Sequence, residues 1–289
     1  MTNSIEIRGL CKSYGDFALK DISLTLPGGT IMGLIGENGA GKTTTIKCIL
    51  NLIRRDAGEI TLMGRDNIRE ERLAKEDIGV VLDECFFHDT LRPRDVGRIL
   101  APVFRQWDSG LFQDYLDKFQ LPEGKLIKDF SRGMKMKLSL AAALAHHPKL
   151  LILDEATAGL DPIVRDEILD EFLSFICDEE HAILISSHIT SDLEKAADYI
   201  TYIHQGRVVL SEAKDTILDN YGRLGCTAAQ LEGVDPADLL RVRKNSFGCE
   251  ALVPDRRAFR RKYPSLTVDR VTLEDIMLFI GKGDAVCAG

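Results

Sequence analysis

No apolar run in the 289-residue sequence approaches the roughly 18 residues that a membrane-spanning helix needs. The opening MTNSIEIRG also lacks the basic-then-apolar pattern of a secretory signal, so the chain is expected to stay in the cytosol. Positive charge is short as well: 37 Lys and Arg stand against 45 Asp and Glu, a formal net charge of -8. That balance argues against sequence-independent binding along a nucleic-acid duplex and leaves room only for a local basic groove. No two cysteines have C-x-x-C spacing. The seven, Cys11, Cys48, Cys85, Cys177, Cys226, Cys249 and Cys287, are odd in number and are expected to be reduced, mostly packed thiols. Cys287 lies too near the end for a prenylation box. The length suits one large domain plus a smaller one, with a core that needs no disulfide or metal staple.

What the sequence does carry is G-x-x-x-x-G-K-[ST], as GENGAGKT from Gly36 to Thr43. The apolar run 31–35 before it suits a buried parallel strand, and residues 43–52 after it have helical spacing. The glycines therefore fall where a strand turns sharply into a helix, the context that makes this a phosphate-binding loop. Gly36, Gly39 and Gly41 let the backbone wrap a polyphosphate, so that N–H groups from Asn38 through Ala40 to Thr44 point at it with the positive end of the helix. Lys42 then reaches the β- and γ-phosphates, and Thr43 offers a hydroxyl to Mg²⁺. A glycine-rich turn that binds nothing would need neither side chain.

Residues 5–14 and 18–26 alternate apolar and polar positions between turn signals, as antiparallel strands do. Tyr14 ends the first, either as half-buried packing or as a ring that stacks on a nucleotide base. Residues 58–64 and 78–83 predict two more strands, joined by a polar helix or loop. From 91 to 148 strand patterns give way to helical spacing: Val96, Ile99, Leu100, Val103 and Phe104 mark one helix, and Leu111, Phe112, Tyr115, Leu116 and Phe119 another, capped by Asp108. This reads as a helical subdomain inserted into an α/β core. It ends in FSRGM, where Ser131 and Gly133 open an alanine- and leucine-rich helix, a second N-terminus that offers N–H groups to an anion or is simply capped by its serine.

LLILDE then brings Asp154 to the end of a buried strand, placed to hold Mg²⁺ through water, with Glu155 beside it to accept a hydrogen bond from an attacking water. Asp161 and Pro162 start a further helix. AILISS delivers His188 to the same sheet edge, within reach of a γ-phosphate. The adjacent His146 and His147 splay apart on a helix and are assigned no metal. A closing hairpin turns at Gln205 and Gly206, a helix over 213–221 ends the main domain, and the remainder predicts a small α+β appendage. Its basic cluster, Arg256, Arg257, Arg260, Arg261 and Lys262, reads as a solvated helix face or as a docking surface for anionic lipid or a partner.

GENGAGKT, FSRGM, LLILDE, AGLD and His188, in this order, closely resemble the nucleotide-binding subunit of ATP-binding cassette transporters over residues 5–221. The segment Ser131-Arg132-Gly133 carries most of the weight, because other phosphate-loop enzymes share the rest. No N-K-x-D guanine-reading motif is present. The resemblance implies an α/β P-loop NTPase core with an antiparallel β subdomain and an inserted helical subdomain, together residues 1–221, and a small accessory α+β domain over 222–289. It implies an ATPase using ATP and Mg²⁺ that powers a separate transmembrane permease from the cytoplasmic face of the membrane, exporting drugs, peptides or similar compounds. It also implies a second nucleotide-binding subunit, a copy or a paralogue, and no nucleic acid.

By the same resemblance Glu155, His188 and Lys42 serve catalysis, with His188 as switch histidine; Tyr14 is the base platform; Thr43, Asp154 and Asp83 attend the metal. Ser131 and Gly133 contact ATP held by the opposite subunit, and Asp161 lines the dimer junction. Two departures stand out. FSRGM replaces the usual LSGGQ, a form that drug- and peptide-export members show. Asp83, followed by Glu84, stands where the family places a glutamine, so metal contact there is expected through water. The alternative is a soluble cassette ATPase acting on ribosomes or DNA, but such members carry a long coiled coil or a second cassette, and this chain has neither.

Overall fold

The computed structural model describes residues 3–245 and 248–285, so Cys287 lies outside the described residues. β1 (Asn3–Tyr14) and β2 (Phe17–Pro27) fold back on each other with Tyr14 opposite Phe17, and their alternation buries Ile5, Ile7, Leu10, Ile22 and Leu24 on one face. β3 (Ile31–Ile35) is buried throughout and runs through the glycine loop into α1 (Lys42–Ile49). β4 (Ala57–Leu62) and β5 (Arg65–Asp66) then complete an antiparallel sheet of order β2-β1-β4-β5. After the short α2 (Glu71–Glu76), β6 (Ile78–Val81) forms one edge of the second sheet. It stops two residues before Asp83, which stands past the strand end.

α3 (Pro93–Leu100) ends sooner than the helical spacing to Phe104 predicts, because Pro102 has no N–H with which to continue it. Val103 is accordingly 63% exposed rather than part of a buried stripe. α4 (Ser109–Lys118) is capped by Asp108, which accepts from the Leu111 N–H at 2.9 Å. α5 (Arg132–Leu144) leads into β7 (Leu150–Asp154), α6 (Pro162–Phe175), β8 (Ala182–Ser186), α7 (Thr190–Ala196), β9 (Tyr199–His204), β10 (Arg207–Ala213) and α8 (Lys214–Asn220). The second sheet has the order β10-β9-β3-β8-β7-β6, parallel except for β10.

Side chains alternate across β3, and so do the two cores: Ile31 and Ile35 face the helical side, whereas Met32 and Leu34 face the antiparallel sheet and α1. Register puts Asp154 opposite Ser186, and Ser186 opposite Leu34. The C-terminal ends of β3, β7 and β8 therefore lie abreast, the edge where ligands of open α/β sheets bind. This is the α/β architecture that the sequence predicts. Among the described residues no helix is long and apolar enough to cross a membrane.

From Gly222 the chain builds a third sheet. β11 (Gly222–Cys226), α9 (Ala228–Glu232), β12 (Arg241–Asn245), β13 (Gly248–Val253), α10 (Arg256–Lys262), β14 (Val268–Arg270), α11 (Leu273–Lys282) and β15 (Asp284–Ala285) give the order β14-β11-β13-β12-β15. Leu224, Ala251, Val253, Phe259 and Val268 form a small core of its own. Four of the five basic residues of α10, Arg257, Arg260, Arg261 and Lys262, are exposed as a solvated face requires, and Arg256 is the exception. Arg256 shares the inward side with Phe259, is 8% exposed, and turns its guanidinium toward the Asp219 carbonyl at 3.4 Å. Lys262 pairs with Asp238 at 2.6 Å, and Arg260 donates to the Val268 carbonyl. α11 packs back on the main domain, where Glu194 of α7 accepts from the Leu273 N–H at 2.7 Å.

Candidate nucleotide site

The glycine loop is as tight as its sequence requires. A Cβ at Gly36 would collide with the Ile203 carbonyl oxygen, and one at Gly41, where φ is 117°, with the Leu19 side chain. Ala40 is buried behind the loop; its N–H donates to the Glu37 carbonyl at 3.1 Å and its carbonyl accepts from the Gly206 N–H at 3.0 Å, anchoring the loop to the β9–β10 turn. α1 starts at Lys42, and the lysine, 6% exposed, folds back so that Nζ donates to the Gly36 carbonyl at 2.8 Å. Thr43 next to it is exposed, and Thr44 half-buried.

At the end of β7, Asp154 is 3% exposed and accepts at Oδ1 from Ser186 Oγ at 2.5 Å; Ser186 Oγ in turn accepts from the Glu155 N–H at 3.1 Å. Glu155 has φ of 53°, a left-handed backbone uncommon for a residue with a Cβ and a frequent mark of functional sites. The turn directs its carboxylate into the cleft. Oε1 lies 3.5 Å from Lys42 Nζ, and His188 Nδ1 lies 2.6 Å from Oε2, where an ionised carboxylate can only accept, so the ring N–H donates. Lys42 at the start of α1, Glu155 after β7 and His188 after β8 thus meet in one chain of contacts.

They sit in an open cleft of about 560 Å³, lined by Asn38, Gly39, Gly41, Lys42, Thr43 and Thr44 from the loop, and by Asp83, Glu155 and His188. Gly36, Ala40 and Asp154 support this lining from behind. Tyr14 is outside it: the ring is 45% exposed, with Lys12 Nζ 5.3 Å from its centre. Its hairpin partner Phe17 is in the lining instead, as are Glu37, Arg132 and Ala158, none of which sequence reasoning proposed. Phe17 had a signal, being across a two-residue turn from Tyr14.

Ser131, Gly133 and Asp161 come together elsewhere. Ser131 Oγ caps α5 by accepting from the Met134 N–H at 3.2 Å, and Asp161 caps α6 by accepting from Ile163 and Val164 N–H at 3.2 and 3.1 Å. Gly133 is buried between the two helices, where a Cβ would stand 3.1 Å from Val164 Cγ1. Arg132 bends away over Gly159, where a Cβ would lie 2.9 Å from Nη1. Among the described residues no three His, Cys, Asp or Glu are grouped to hold a metal by themselves. The donors present, an Asp154 carboxylate and a Thr43 hydroxyl, fit Mg²⁺ carried with a nucleotide, since that ion keeps waters and takes substrate phosphates as ligands. His146 is buried, stacks on Phe104 at 4.0 Å with Nε2 3.1 Å from the Ile78 carbonyl, and burial pushes its pKa down.

Comparison with known proteins returns the same family from three directions. Residues 19–158 match the ABC transporter family. The chain is 36% identical over 214 residues to the lantibiotic transport ATP-binding protein SrtF of Streptococcus pyogenes, covering 73% of this chain and 91% of that one. It is 35% identical over 212 residues to the bacitracin transport ATP-binding protein BcrA of Bacillus licheniformis, covering 72% and 69%. With the Nod factor export ATP-binding protein I of Rhizobium leguminosarum bv. viciae the figures are 33% over 252 residues, 84% and 79%. Among solved structures, an ATP-binding subunit of an ABC transporter superposes with a TM-score of 0.68 at 26% identity, over 74% of this chain and 91% of the other.

Proposed function

The chain belongs to the ATP-binding subunits of ABC transporters, and from that premise we propose that it drives an exporter of drugs, peptides or similar compounds as one half of a head-to-tail pair. It is an ATPase whose hydrolysis is coupled to transport through a membrane permease. The observation that carries the mechanism is the contact chain Lys42–Glu155–His188. When ATP enters, Lys42 exchanges the Gly36 carbonyl for the β- and γ-phosphates, and the loop N–H groups take the remaining oxygens. Glu155, released from the lysine, accepts a hydrogen bond from the attacking water, and His188 holds the other carboxylate oxygen. Asp154 and Thr43 would hold Mg²⁺, which neutralises charge on the phosphate oxygens when bound.

Pairing is supported by the joined N-termini of α5 and α6. Ser131 and Asp161 lie outside their own chain's cleft, and Ile163 beside them is 73% exposed. In a two-fold pair that surface of each copy would close over the ATP of the other, so nucleotide becomes part of the interface. Permease docking is supported by an apolar groove of about 250 Å³ beyond β6, lined by Phe86, Phe87, Leu100 and Phe104 with Asp83 nearby in sequence; Phe86 is 72% exposed. The pair would then sit on the cytoplasmic face of the membrane through that permease.

The test is phosphate release with and without the reconstituted permease. Wild type should respond to the permease, and Asp83→Ala should keep basal turnover but lose that response, because Asp83 would reach the metal only through water, and such a bridge costs at most about 2 kcal/mol relative to a direct contact. A wild-type rate indifferent to every co-expressed permease would reject the transport reading. An Asp83→Ala variant as inactive as one lacking Glu155 would make Asp83 part of the chemistry instead. Base stacking has its own comparison: whichever of Tyr14→Ala and Phe17→Ala removes the platform should weaken ATP and GTP alike, by about 1–3 kcal/mol. From the cleft lining Phe17 is expected to show the larger effect, measured by nucleotide titration.

A further inference from the structure

Two thiols of the third sheet, neither in the cleft lining, face each other. β11 and β13 pair antiparallel with Cys226 directly opposite Cys249, two residues along from the pair Leu224 and Ala251. Side chains of opposite residues leave the sheet on the same face, here the face that carries the small core with Leu224 and Ala251. Opposite residues in an antiparallel pair stand about 4.5–5.5 Å apart at Cα. That is inside the roughly 4.4–6.8 Å that a disulfide spans, so closure needs side-chain rotation and no backbone movement. Both cysteines are free thiols, Cys226 half-buried and Cys249 5% exposed. Among the described residues no other two cysteines share a strand register.

We propose that Cys226 and Cys249 are a redox modification site, closing to a reversible disulfide when small-molecule disulfides accumulate. Cys226, the more accessible, attacks one sulfur of the small disulfide as a thiolate, forms a mixed disulfide and expels one small thiolate. Cys249 then attacks Cys226 Sγ and expels the second. Two protein thiols are oxidised, one small disulfide is reduced to two thiols, and the two protons lost by the cysteines pass to the leaving thiolates. Burial and the neighbouring Cys249 push the Cys226 thiol up, so the first attack is slow at neutral pH and the bond answers sustained oxidation. Once formed it ties β11, which follows α8 directly, to the centre of the third sheet.

Peptide mapping of the full chain tests this. After incubation with excess oxidised glutathione, alkylation in acid and digestion, the expected product is a Cys226–Cys249 cross-linked peptide that dithiothreitol abolishes. Exposed Cys177 should carry glutathione in the same sample and so reports that oxidant reached the protein. Cys249→Ser should halt at a glutathione adduct on Cys226. Should that variant not fold, the wild-type map decides alone. Fully alkylated Cys226 and Cys249 beside a glutathionylated Cys177 would overturn the proposal, as would wild-type Cys226 left as the mixed disulfide with Cys249 alkylated.

Discussion

Glu155→Gln is expected to bind ATP as wild type does and to hydrolyse it about 10²–10⁴-fold more slowly. The substitution keeps volume and leaves an amide oxygen where Oε2 accepts from His188 at 2.6 Å. It also leaves the left-handed backbone, Asp154 and the glycine loop untouched, so loss of affinity has no cause. What disappears is the ability to take a proton from water. If ATP also bridges two copies, the variant should elute from a sizing column as a dimer in Mg-ATP and as a monomer without it. A variant that stays monomeric and turns over at the wild-type rate would remove Glu155 from the mechanism.

Lys42→Ala is expected to act one step earlier, on binding. A hydrogen bond to a charged group contributes about 1.5–3 kcal/mol, so losing it from the phosphates should raise the Kd for ATP roughly 10- to 150-fold. Its ammonium is 6% exposed and already rests on the Gly36 carbonyl, which means the group is preorganised where a phosphate arrives. In the variant, Glu155 also loses the lysine 3.5 Å away, so its carboxylate would face the anionic nucleotide without that cation between them. Titration with a fluorescent ATP analogue measures the effect. Equal affinity in the variant would reject the assignment of GENGAGKT as the phosphate site.

The loop, Asp154, Glu155 and His188 could be read directly because each is fixed by local chemistry: a strand must end where its apolar run ends, and the residue after it emerges at the sheet edge. Contacts that depend on register could not. Ser186 becomes the partner of Asp154 only once β7 and β8 are aligned in parallel, and nothing in AILISS states that alignment. Arg132 is a visible departure from a glycine, yet its resting place over Gly159 depends on how α5 meets the loop after Glu155. Two differences had signals that were outweighed. Pro102 marks the end of α3, although apolar spacing runs past it. Arg256 precedes Phe259 by three residues, which on a helix puts both on the same side, and the buried phenylalanine decides which side that is.

The hydroxyl of Ser186 has one proton, and it is given to Asp154. Toward Glu155 it can therefore only receive, which it does from the main-chain N–H. The row Glu155 N–H, Ser186 O–H, Asp154 carboxylate thus has a single direction. The two acidic positions at the end of β7 are in this sense one polarised wire: a single serine hydroxyl holds both the carboxylate on the metal side and the peptide that carries the base.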